Sequence, residues 1–104
     1  MTRDTAKKII RHFPLKLQDV AKKDIEDRAY KTVELIPRLM LSDGYYQMTV
    51  NYTIDYQGKT LYGRADSLES FVRMHDEAER GEYFTVTYLE GSGIILEIEN
   101  RDDE

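Results

Sequence analysis

Between Tyr46 and Tyr56 the chain alternates strictly. Tyr46, Met48, Val50, Tyr52, Ile54 and Tyr56 are apolar or aromatic, and Gln47, Thr49, Asn51, Thr53 and Asp55 between them are polar. A period of two places these sets on opposite faces of a strand, one buried and one wet. Asp43-Gly44 ahead of it suits a two-residue hairpin turn with positive φ, which would set Leu41 opposite Tyr46 and Leu39 opposite Met48. Gln57-Gly58 behind it predicts a second tight turn that pairs Tyr56 with Lys59, Ile54 with Leu61, Tyr52 with Gly63 and Val50 with Ala65. Gly63 then leaves room for the ring of Tyr52. Further on, Phe84, Val86 and Tyr88 alternate up to a Gly91-Ser92-Gly93 loop, and Ile94, Leu96 and Ile98 alternate after it. With Gly93 left-handed, this hairpin keeps both apolar sets on one face and pairs Tyr88 with Leu96.

A period near four marks the helices. Ala6, Ile9, Ile10 and Phe13 form the first stripe, which Pro14 stops. Ile25, Ala29, Thr32, Val33 and Ile36 form a second, stopped before Pro37, with Asp24 and Asp27 as its acidic start. The segment 15–23 between them can extend that helix backward. Asp66 followed by Glu69 reads as a capping box for a third helix, and Gly81 as its left-handed end. On that helix Leu68, Phe71, Val72, His75 and Ala78 share one face, so His75 is expected to turn toward the sheet and away from Asp76 and Glu77.

The expected fold is therefore α+β: a single domain over 1–104, in ααβββαββ order, with an antiparallel five-stranded sheet and the helices packed on one face. Residues 100–104, Asn-Arg-Asp-Asp-Glu, are expected to fray. A chain of 104 residues is long enough for one hydrophobic core and too short for a core plus a separate cofactor domain.

Charge divides the chain unevenly. Residues 1–31 hold nine Lys/Arg against five Asp/Glu, a balance of +4, and residues 32–104 hold six against fifteen, a balance of −9, which together give the net −5. The ordinary account of such a split is that basic helices complement an acidic sheet. The more specific one is that one end meets a charged partner.

Candidate chemistry is sparse. The chain has no cysteine, which removes disulfides, thiolate metal sites and cysteine nucleophiles and fits a cytoplasmic setting. The N-terminal segment carries charge every few residues and has no apolar signal-peptide core, and no run approaches the roughly 20 apolar residues that span a bilayer. There is no nucleophile elbow, phosphate loop or dinucleotide fingerprint, and the glycines of Glu90-Gly91-Ser92-Gly93 belong to a hairpin. His75 with Glu79 four residues on supplies only two metal ligands, and His12 lies on another helix. Neither a catalytic centre, a metal nor a cofactor is expected.

What remains is binding. The outward set of the sheet contains Met40, Tyr45, Tyr62, Tyr83 and Ile95, with Glu97 and Glu99 between them and Asp76 and Glu77 on the third helix. Aromatic and methionine anchors ringed by carboxylates suit a protein partner. The sequence reading is thus a non-catalytic protein-binding module, an inhibitor or adaptor whose partner is a nucleic-acid-processing protein. By size and charge alone this is similar to the small acidic anti-CRISPR and anti-restriction inhibitors, with no residue motif in common. The alternative is a nucleic-acid accessory protein that uses Lys7, Lys8, Arg11, Lys22 and Lys23 of the N-terminal helices. A free sheet edge adds a homodimer to these expectations.

Overall fold

In the computed structural model the alternating segments pair as two antiparallel sheets of three strands. The structure describes residues 2–46 and 49–103, with the side chains of all but 43–46 and 103 among them. The elements run α1 (Arg3–Ile10), α2 (Leu15–Glu26), β1 (Tyr30–Leu35), β2 (Leu39–Tyr46), β3 (Thr49–Tyr56), β4 (Lys59–Ala65), α3 (Leu68–Glu79), β5 (Phe84–Leu89) and β6 (Ile95–Asn100), with a short 3₁₀ turn at Arg101–Asp103. One sheet has the order β1-β5-β6 and the other β2-β3-β4. Among the described residues a parallel bridge between Tyr62 and Ile94 joins their backbones, where the Tyr62 amide donates to the Gly93 carbonyl at 2.8 Å. The α+β class expected from the sequence is correct, and the single five-stranded sheet is not. A radius of gyration of 13.1 Å is that of one compact domain of this length, for which roughly 13 Å is usual.

The sixth strand comes from a segment read as helix. Ile25, Val33 and Ile36 fit a helical period, yet α2 ends at Glu26 and β1 begins at Tyr30. Arg28 adopts φ +54, the Ala29 amide donates to the Asp24 carbonyl at 2.8 Å, and the Arg28 amide to that of Ile25 at 3.2 Å. This pair of bonds is a Schellman termination built on an arginine where glycine is usual, so the sequence carries no stop signal there. The β-branched pair Thr32-Val33 then lies along β5, with Thr32 opposite Thr87 and Val33 opposite Val86. Asp24, expected to start the helix, instead lies in its last turn.

The meander is as expected on one side of β3 only. Tyr56 pairs with Lys59, Ile54 with Leu61, Tyr52 with Gly63 and Val50 with Ala65. Gln57 and Gly58 have φ of +51 and +81, as a primed turn requires. On the other side Asp43-Gly44 does not turn. It lies within β2, where Leu39 pairs with Ile54, Leu41 with Tyr52 and Tyr45 with Val50, so Ser42, Asp43 and Gly44 form an irregularity opposite Asn51. The expected pairing of Leu39 with Met48 falls partly outside the described residues.

Two apolar clusters share the interior. Val50, Tyr52, Ile54, Leu61 and Ala65 from one sheet meet Phe84, Val86, Tyr88 and Ile95 from the other, and α3 adds Phe71. The second cluster joins Ala6, Ile10, Phe13, Ala21 and Ile25 of the α1–α2 hairpin to Leu89, Ile94 and Leu96 at the tip of the β5–β6 hairpin. The helices therefore do not share one face, because β6 is buried on both sides near its start. A register shift at Tyr88, which pairs with Ile95, sends Ile95 into the first cluster and Leu96 into the second.

Asp24 ties the helices to that hairpin. Its carboxylate is 7% exposed and accepts from the Gly91 amide at 3.0 Å and the Ser92 amide at 2.8 Å. At the other end, Ser67 caps α3 by accepting from the Ser70 amide, one residue after the expected cap. Within the tail expected to fray, Asp102 accepts from the Tyr83 amide at 3.1 Å, and Arg101 donates to Glu34 at 2.7 Å. No helix among the described residues is long and apolar enough to cross a membrane.

Candidate binding surface and cleft

The outer face of the β1-β5-β6 sheet follows directly from register. Thr32, Thr87 and Glu97 lie abreast, as do Glu34, Thr85 and Glu99. Their neighbours Val33, Val86 and Ile98 point the other way, into the first cluster. The acidic row is therefore held by strands whose opposite face is packed. Thr32 and Thr87 share a hydroxyl hydrogen bond of 3.1 Å, and Glu34 is paired with Arg101. Glu97 and Glu99 are exposed and have no ion-pair partner among the described residues. Two residues apart on one strand, their carboxylates repeat at roughly 7 Å.

The other expected contact residues scatter. Met40 is 56% exposed on the edge strand β2, beside Leu41 at 55% and Ile36 at 45%. Tyr83 is exposed, with the Arg101 guanidinium 6.0 Å from its ring centre, next to the acidic row. Ile95 is buried, because the register shift reverses its side. Tyr62 is half-buried against the α1–α2 cluster rather than free on an outer face. Glu77 is buried on α3, where it accepts from Asn100 Nδ2 and lies 3.8 Å from Arg73. Asp76 remains exposed. The side chain of Tyr45 lies outside the described residues. Thus Glu97, Glu99 and Tyr83 come together, and the rest of the expected set does not.

His75 was expected to face the sheet with the nearby acids directed elsewhere. Its side chain is in fact 44% exposed, with Nδ1 3.8 Å from Asp76 and Nε2 3.7 Å from Glu79. The inward positions of α3 are Phe71, Met74 and Ala78. The local acidic crowd is therefore a spatial one, made of loose surface pairs of the kind that contribute little. Among the described residues no group of three His, Asp or Glu side chains is placed to hold a metal ion.

The basic residues Lys7, Lys8, Arg11, Lys22 and Lys23 are all exposed, and none forms an ion pair among the described residues. Behind α1 lie two neighbouring hollows that the sequence did not reveal. A cleft of about 330 Å³ opens between α1 and the line where β4 and β6 part, with Lys8, Arg64, Asp66 and Glu97 among its walls. A smaller and slightly less open hollow of about 210 Å³ lies between the α1–α2 corner and the outer face of β3 and β4. His12, Phe13 and Tyr52 line both. Asn51, which pattern reasoning counts only as a polar strand position, is among the walls of the smaller hollow. Its Oδ1 is buried without a hydrogen-bond partner among the described residues. Burial pushes the Tyr52 phenol pKa well up, so this hydroxyl is no proton donor or acceptor near neutrality.

Comparison with known proteins finds no matching family model, no matching curated protein and no matching solved structure.

Proposed function

We propose that this is a non-catalytic binding protein, an inhibitor or adaptor that docks the open face of β1, β5 and β6 onto a basic surface of a nucleic-acid-processing protein. The observation that carries the reading is the unpaired Glu97–Glu99 row on a strand locked from behind by the core. Because the strand beneath it is already ordered, only the glutamate side chains lose freedom on binding, and their charge steers a basic partner from a distance. Thr85 and Thr87 add hydroxyl donors and acceptors between the acids, and Tyr83 supplies an aromatic anchor at the rim.

Affinity capture from the host lysate tests this, with wild type beside the Glu97→Lys/Glu99→Lys variant. The reading expects a nucleic-acid-binding protein that is retained by wild type, lost by the variant and released at about 0.5 M salt, where exposed charges are screened within a few ångströms. Equal capture by both proteins would remove the acidic face from the account.

The five exposed cations of the N-terminal helices and the α1 C-cap, without ion pairs among the described residues, support a second reading, direct nucleic-acid binding. A gel shift with plain DNA and RNA separates the two: complexes that weaken steeply with salt favour the helices, and free nucleic acid throughout favours the sheet face.

A further inference from the structure

We propose that the smaller hollow behind α1 is a binding site for a purine nucleoside or its monophosphate, with the base in that hollow and the sugar and phosphate in the neighbouring cleft. Size sets the first limit. About 210 Å³ exceeds the roughly 150 Å³ of an engineered cavity that holds benzene and falls short of the roughly 300 Å³ at which drug-sized sites begin. One fused-ring base fits that interval.

The walls point to the same class of ligand. Phe13 and Tyr62 offer aromatic surface to a planar ring, with Pro14 and Leu17 closing the helix side. Asn51 makes no side-chain hydrogen bond among the described residues, so turning its amide toward a ligand would break none and would offer an acceptor and a donor together. That pair complements the amino group and N7 of adenine. A buried acceptor without a donor is uncommon in a folded protein and calls for a partner.

The neighbouring cleft completes the ligand. Arg64 and Lys8 have no carboxylate partner among the described residues, and Arg64 donates only to the Thr49 hydroxyl at 3.2 Å. These groups suit a phosphate. Asp66 and Glu97, on the same walls, suit ribose hydroxyls. Two cations against two carboxylates give the cleft no large excess of positive charge, so it takes one phosphate in preference to three.

The test is a titration of ¹⁵N-labelled protein with adenosine, AMP, ATP, UMP and inorganic phosphate, followed by amide chemical shifts. Adenosine and AMP are expected to move the Asn51 and Tyr62 signals saturably, adenosine with a Kd on the order of 0.1 mM, the usual efficiency for a ligand of that size, and AMP more tightly. ATP and UMP should bind more weakly, and phosphate alone should leave Asn51 unmoved. Asn51→Thr should weaken AMP binding about tenfold while the melting temperature holds or rises, because the mutation also removes a buried unsatisfied group. Arg64→Gln should bring AMP down to the affinity of adenosine and leave adenosine unchanged. Absence of saturable shifts with adenosine and AMP would overturn the proposal, as would undiminished AMP binding by Asn51→Thr. Shifts at Asn51 produced only by an oligonucleotide would overturn it in favour of a strand-binding groove.

Discussion

Gly63→Ala places one methyl group against the ring that unites both hollows and the main core. Tyr52 is 1% exposed and lies across Gly63, so a Cβ there would fall well inside 3.0 Å of the phenol ring. The ring cannot easily withdraw, since Phe71 packs against it with centroids 5.9 Å apart. Overpacking of a filled core costs about 1–3 kcal/mol, and a ring blocked behind belongs at the upper end. Against this, replacing a strand glycine returns about 0.5–1 kcal/mol of unfolded-state entropy. The expected net loss is about 2 kcal/mol, or roughly 10 °C in Tm for a domain of this size. Urea unfolding followed by circular dichroism measures it. The same substitution in a Tyr52→Leu background, where the ring is gone, should be neutral or stabilising. An equal penalty in both backgrounds would refute the steric account, because the cycle then finds no coupling between the two positions.

Further outcomes follow from the same geometry. Asp24→Ala strips two backbone amides of the buried carboxylate that accepts from them, and should cost about 2–4 kcal/mol in urea unfolding while speeding amide exchange at Gly91 and Ser92. Arg28→Gly relieves an arginine held at φ +54 and should raise stability by about 1 kcal/mol; no gain would mean that the side chain contributes contacts of its own. Stability should decline as pH rises above 10. Burial raises the Tyr52 phenol above its ordinary value of 10.0, and burial, Tyr56 and Glu90 raise that of Tyr88. The unfolded chain therefore releases these protons first, and each phenol contributes a slope of up to about 1.4 kcal/mol per pH unit above 10. Tyr52→Phe should remove its share of that slope.

What was legible in the sequence is what local physics determines. The β3–β4 register was readable because Gln57-Gly58 permits one turn and the alternation around it permits one register. The β2–β3 connection was not, because Asp43-Gly44 has equally good turn chemistry and loses to the longer pairing that carries Leu39 opposite Ile54. Strand β1 was hidden for a related reason. Its apolar residues fit a helical period, and the stop before it is an arginine in a left-handed conformation that only tertiary contacts reveal. At the candidate site, Glu97 and Glu99 were readable from alternation, whereas Ile95 was not, since one shifted residue at Tyr88 reverses its side. The hollows behind α1 depend on how the helix hairpin seats over the β4–β6 junction, and no pattern within any one element encodes that.

The central claim is that the bare face of β1, β5 and β6 is the contact surface. Photo-crosslinking in the native host, with a photoreactive residue at Thr85 on that face or at Lys7 on α1, tests it most directly. A single protein product from position 85 and none from position 7 is the predicted result. Crosslinks to nucleic acid from position 7, with position 85 silent, would contradict it.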